Sequence, residues 1–249
     1  MDWRTVMFLC AVLAARPALA ANLVEPHMHI VPGGTAGPQV ALTLDACTGG
    51  VDMRILSTLV ENNIPATIFV TGRWLRGNAP AIAILQSHPD LFELEDHGLN
   101  HVPAVLGTKR VYGIKPAGTM TAIRAEISGG ARAMEAARLN APAWYRDATA
   151  EYSPAALKLI AAMGYRVGGF SLNADFGASL PAKKVEERIS AAKDGDVIIA
   201  HINQPKRSSG AGVAAGVLAL TAKGFRFVRL QDTLEPDAVG PIALVPPLP

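Results

Sequence analysis

Cysteine is scarce in this chain. Of its two cysteines, Cys10 lies in an apolar N-terminal stretch and Cys47 is alone in all that follows, so no internal disulfide can staple the chain once that stretch is removed. Aromatic residues make up 6% of the sequence, too few for an extended stacking platform along a long sugar. The formal net charge is +2, and the lysines and arginines are scattered. Neither nucleic acid nor an anionic membrane surface is therefore an indicated partner. Beyond Ala20 no uninterrupted apolar run is long enough to span a bilayer.

What is present begins with "MDWRTVMFLCAVLAARPALA". Arg4 precedes an apolar run from Val6 to Ala15, and a small-residue A-L-A ends at Ala20. That is the pattern of a secretory signal peptide over residues 1–20, predicting a mature chain that starts at Ala21, is periplasmic or secreted, and has no membrane span. Residues 21–39 read as an N-terminal extended segment, 40–232 as one large domain, and 233–249 as a Pro-rich C-terminal tail.

Within the domain, short β-prone runs alternate with longer helix-prone ones. The strand candidates are "VALTLD", "ATIFVTG", "LFELED", "AWYRD", "YRVGGFSL", "DVIIAHI" and "FRFVRL". Between them lie "VDMRILSTLVENN", "APAIAILQSH", "TAIRAEISGGARAMEAARLN", "SPAALKLIAAMG", "AKKVEERISAAKDG" and "AGVAAGVLALTAKG". The alternation predicts an α/β fold with a parallel sheet and helical crossovers, either open and doubly wound or closed into a barrel. Both arrangements put functional groups at the carboxyl ends of strands.

The polar residues at those ends are the informative ones. Asp45 follows "VALTL", His97 follows "LFELED", Arg146 and Asp147 follow "AWY", Asn173 and Asp175 follow "GGFSL", and His201 follows "VIIA". In "DHGLNH", His97 and His101 are four residues apart, on one helical face or around one tight turn, and such a pair is a common half of a divalent-metal site. Cys47, two residues beyond Asp45, reads either as a small buried hydrophobe or as a ligand.

In their order, "TLDACTGG", "DHGLNH", "WYRDATAEYS", "SLNADFG" and "VIIAHINQP" resemble the five motifs of the polysaccharide deacetylases, the NodB-homology group of carbohydrate esterase family four. The resemblance runs over residues 40–230. It implies a distorted seven-stranded (β/α) barrel and a secreted metal-dependent hydrolase that removes N-acetyl groups from an envelope or extracellular polysaccharide. It also implies roles: Asp45 as general base, His97 and His101 as metal ligands, Arg146 as the group orienting the base, Asp175 as an acid of the fourth motif, and His201 as general acid. The metal would be a divalent ion, zinc first, with nickel, cobalt or manganese as alternatives. The partner would be an N-acetylated polysaccharide or oligosaccharide.

The chain departs from the family pattern at named places. Ala46 stands where the third metal-binding acid is usual, so an aspartate there would be expected to add a ligand, and Asp45 or Cys47 is open as its replacement. Gly98 replaces a serine or threonine, "RDAT" replaces R-P-P-Y, and Leu172 and Phe176 replace an acid and a tryptophan. These losses support an alternative reading, a non-catalytic carbohydrate-binding or envelope-interaction protein on the same fold.

Overall fold

The computed structural model describes residues 22–233; the expected signal peptide and most of the Pro-rich tail lie outside them. The strands are β1 (Gln39–Ala46), β2 (Ala66–Val70), β3 (Phe92–Asp96), β4 (Trp144–Tyr145), β5 (Arg166–Val167), β6 (Leu172–Asn173), β7 (Val197–His201) and β8 (Arg226–Val228). Seven follow one path in the order β5-β4-β3-β2-β1-β7-β6, and β8 pairs with the first residues of β1. Every pairing is parallel, so the sheet is a curled half-barrel of the expected (β/α) type.

The helices are α1 (Met53–Glu61), α2 (Gly72–Gly77), α3 (Ala79–Ser87), α4 (Met120–Ala136), α5 (Pro154–Ala162), α6 (Ala182–Ser190) and α7 (Ser209–Ala222). Side-chain caps start several of them: Asp52 accepts from the Arg54 amide, Thr71 from Trp74 and Thr119 from Ala122, each satisfying an N–H that has no partner within the helix. The short helix α2 has no counterpart among the expected segments, because "GRWLRG" carries too few residues for a helical period to show.

Strand parity sorts the core into two layers. Val40, Leu42, Leu44 and Ala46 of β1 belong to the larger cluster, which packs against helices, together with Ile68 and Val70 of β2 and Val213 and Val217 of α7. Ala41 of β1 faces the barrel interior with Phe69, Trp144, Val197 and Ile199. Thr43 and Asp45 share that inward side. Full burial of both faces explains why the central strands read as continuous apolar runs.

One expected strand, "YRVGGFSL", is two. It breaks between β5 and β6, where Phe170 instead pairs with His27 of the N-terminal segment. A Cβ on Gly168 would come within 2.4 Å of the Phe69 ring, and one on Gly169 within 2.3 Å of the Pro26 carbonyl, so only glycine permits the backbone to pass there. The break turns the two glycine carbonyls toward Arg146.

Candidate active site

The site is assembled at the carboxyl ends of β1, β3, β4, β6 and β7. Pairing register puts Asp45 of β1 beside His201 of β7 and beside Phe69 of β2. Arg146, immediately after β4, reaches across the barrel interior. Its Nη1 donates to Asp45 Oδ1 at 2.8 Å and to Thr43 Oγ1 at 3.0 Å, Nε to the Gly168 carbonyl at 2.8 Å, and Nη2 to the Gly169 carbonyl at 3.0 Å. The guanidinium also lies 4.2 Å from the Phe69 ring centroid. It is fully buried, and these partners satisfy its planar fork. Burial alone would raise the Asp45 pKa, but Arg146, with His97 and His201, outweighs it and holds the carboxyl below its ordinary value. Asp45 is thus ionised, oriented and stripped of most solvent.

His201 is anchored in the same manner by Asp175. One carboxylate oxygen accepts from the His201 backbone amide and the other from Nδ1, both at 2.8 Å. The pairing fixes Nδ1 as a donor and leaves Nε2 to face the site. Burial would lower the His201 pKa; the Asp175 charge and hydrogen bond reverse this and push it well above the usual imidazole range. A protonated imidazole of this kind is suited to give a proton.

The histidine pair sits in a loop rather than on a helix. Gly98 and His101 both have left-handed backbone, with φ of 83° and 63°, and Glu126 of α4 ties the loop: Oε1 accepts from the Asn100 and Val102 amides at 2.6 and 3.2 Å. A Cβ at Gly98 would lie 2.8 Å from that same oxygen, which accounts for glycine in place of serine or threonine. His97 Nδ1 donates to the Arg146 carbonyl at 2.8 Å, and its Nε2 lies 3.5 Å from Cys47 Sγ and 3.8 Å from Asp45 Oδ2. Ligand atoms of Cys47, His97 and His101 all fall within 4.8 Å of one another. His101 Nε2 is buried and has no hydrogen-bond partner, an atom that a bound cation would satisfy. Burial opposes ionisation of Cys47, but the surrounding imidazoles of His101, His201 and His97 bring the thiol well below its ordinary value. Asp45 and Cys47 push His97 up to about 9 against the effect of burial. One thiolate and two imidazoles suit a divalent ion of zinc type.

Sequence reasoning therefore named the groups the fold brings together: Asp45, Cys47, His97, His101, Arg146, Asp175 and His201. Asp147, also at a strand end, serves the fold; it is buried and accepts from the Ala104 and Thr149 amides. Ala46 is fully buried in the helix-facing cluster, so the position where a third ligand was expected points away from the site. Glu126 and the Gly168 and Gly169 carbonyls were missed. A Gly-Gly pair inside a predicted strand signals a bulge or close approach, whereas Glu126 is one helical acid among several and carries no local signal.

The polysaccharide deacetylase family model matches residues 33–168, more than half of the sequence. The chain belongs to the polysaccharide deacetylase family. No curated protein matches it significantly. Among solved structures, a carbohydrate esterase family 4 pseudoenzyme from Bacillus anthracis is 18% identical with a TM-score of 0.66, covering 84% of this chain and 69% of its own. The peptidoglycan N-acetylglucosamine deacetylase Bc1960 is 19% identical with a TM-score of 0.65 over 85% of this chain and 93% of its own. A family 4 acetyl xylan esterase from Clostridium thermocellum, solved with a cobalt ion, is 22% identical with a TM-score of 0.61 over 78% and 89%. At these identities the likenesses establish the fold.

Proposed function

We propose that this member of the family is a secreted, metal-dependent deacetylase of N-acetylated polysaccharide from the cell envelope or the extracellular matrix. The observation that carries the reading is the placement of two ion-paired groups, Asp45 held by the Arg146 guanidinium and His201 held by the Asp175 carboxylate, beside the cluster of Cys47, His97 and His101. A divalent ion held by the histidines would polarise the acetyl carbonyl and favour ionisation of a water. Asp45, kept anionic by Arg146, takes the proton of the attacking water. His201, kept protonated by Asp175, delivers a proton to the departing amine nitrogen. Neither residue needs to be recharged from bulk water in the forward step, since one begins as a base and the other as an acid.

The test is acetate release from N-acetylglucosamine oligomers, peptidoglycan and acetylated xylan. Asp45→Asn keeps the shape and removes the base, so the rate should fall by about a hundredfold or more, and His201→Ala should impair release of the amine product. Equal rates in the wild type and both variants would defeat the assignment. The second reading, a carbohydrate-binding protein without catalysis, draws support from the helix-facing Ala46 and from the pseudoenzyme among the structural neighbours. Oligosaccharide binding with no acetate release under any supplementation with zinc, nickel, cobalt or manganese would select it.

A further inference from the structure

The proposed function needs two histidines and a divalent ion, and leaves the remaining protein ligand undetermined. Asp45 and Cys47 were the candidates. One oxygen of Asp45 is engaged elsewhere, Oδ1 with Arg146 at 2.8 Å, and the carboxylate is not part of the cluster of Cys47, His97 and His101 whose ligand atoms lie within 4.8 Å of one another. Cys47 is the first residue after β1, and the Thr71 hydroxyl at the start of α2 donates to its carbonyl, while the Thr71 amide donates to the Ala46 carbonyl. The backbone carrying the sulfur is therefore held between two adjacent strand ends. Sγ stands 3.5 Å from His97 Nε2. Around a tetrahedral ion with metal–sulfur and metal–nitrogen bonds of about 2.3 and 2.0–2.1 Å, a sulfur and a nitrogen ligand lie about 3.5 Å apart.

The two histidines are oriented for this role. The Arg146 carbonyl occupies His97 Nδ1, the backbone-carbonyl arrangement that fixes a ligating tautomer and leaves Nε2 for the metal. The buried His101 Nε2, without a hydrogen-bond partner, is an independent sign that this atom is placed to bind a cation. Resting on the metal-dependent reading above, we propose that Cys47 is the third protein ligand, making a Cys-His-His site that takes a thiophilic divalent ion, zinc or cobalt, and leaves Asp45 free as the base. The thiolate supplies the one negative charge that a carboxylate would have brought. With three protein ligands a fourth position stays open, as in catalytic zinc sites generally. Manganese and magnesium, which favour oxygen donors, should bind weakly.

Cobalt(II) titration of the metal-stripped full mature chain tests this without an activity assay. The wild type should develop visible d–d bands of a tetrahedral ion together with a near-ultraviolet thiolate-to-cobalt charge-transfer band. Cys47→Ser should abolish the charge-transfer band and weaken zinc and cobalt affinity by more than about a hundredfold, beyond the loss typical of outer-shell changes. Cys47→Asp, a second variant that restores an anionic donor, should recover binding without the charge-transfer band and should shift preference toward manganese. Cobalt d–d bands without charge transfer in the wild type, or unchanged affinity in folded Cys47→Ser, would overturn the thiolate ligand while leaving a metal-dependent enzyme standing. Absence of any bound cobalt or zinc in the wild type would overturn both.

Discussion

Asp45 and Glu95 stand at the same level of the sheet, two strands apart, with Phe69 between them in register. Both are buried carboxyls, yet they end in opposite states. Asp45 meets a guanidinium and stays below its ordinary pKa despite burial. Among the described residues no cation pairs with Glu95: its Oε2 accepts from the Ala143 and Trp144 amides at 2.9 and 2.8 Å, and burial, then the Glu93 charge, push it up to about 9 against those amides. The same depth and residue chemistry thus give a base on one side of Phe69 and a neutral acid on the other. What decides is Arg146, which crosses the interior to Asp45 only.

Removing that cation should have the largest effect. Arg146→Met leaves Asp45 without its partner and the Gly168 and Gly169 carbonyls without their donors, a change on the scale of breaking a buried ion pair, about 3–5 kcal/mol. For a chain of this size that is a fall in Tm of roughly 10 °C or more. In whatever fraction remains folded, Asp45 should behave as Glu95 does, and the acidic limb of the pH–rate profile should move upward. A variant with unaltered melting and profile would mean that Arg146 is not what separates the two carboxyls.

A second contrast lies along β1 itself, between Asp45 and its neighbour. Because strand parity alternates, Ala46 joins Leu42 and Leu44 under the helices while Asp45 faces the barrel. Ala46→Asp should bury a carboxyl with no partner, lowering stability by at least about 2 kcal/mol, and zinc affinity should not improve. Tighter zinc binding by a folded Ala46→Asp protein would show that position 46 can reach the site.

The sequence made the fold and most of the site legible for a physical reason. Strands buried on both faces write continuous apolar runs, and in a parallel sheet chemistry gathers at their carboxyl ends, so Asp45, His97, Arg146, Asp175 and His201 could be found by position alone. What stayed hidden depends on three-dimensional approach. The direction of Ala46 follows from a register that a motif does not display. The split between β5 and β6 depends on the Phe69 ring and the Pro26 carbonyl filling the space beside Gly168 and Gly169. Glu126 reaches the histidine loop from a helix that begins well downstream, and nothing in the periodicity of α4 marks it.

The acid side of the site offers a milder perturbation. Asp175→Asn keeps an acceptor for His201 but removes the charge that, against burial, raises its pKa. His201 must be protonated to act as the acid, so activity is lost as pH rises through its pKa. Lowering that value moves the alkaline limb to lower pH. Each unit of displacement reduces the rate on that limb about tenfold. A pH–rate profile with an unmoved alkaline limb would detach His201 from the proton transfer.

At Glu95 the sign of the effect separates a neutral carboxyl from an ionised one. With a folded pKa of about 9 and an unfolded value near 4.5, the native state holds a proton that the unfolded chain releases between those limits. Stability contributed by the protonated carboxyl is therefore full below the unfolded pKa and is lost progressively as pH rises through the folded one. Glu95→Gln retains a carbonyl oxygen for the Ala143 and Trp144 amides and offers an N–H to Glu93, whose Oε1 is buried without a partner. The substitution should leave stability near its wild-type value in acid and raise Tm above that of the wild type at pH 8, where the native carboxyl still holds a proton that the unfolded chain has released. Melting curves across pH 5 to 9, an interval set by that shift, would measure the divergence. If Glu95 were instead ionised like Asp45, the glutamine variant would lose stability at pH 8, and the contrast across Phe69 would collapse into two paired carboxylates.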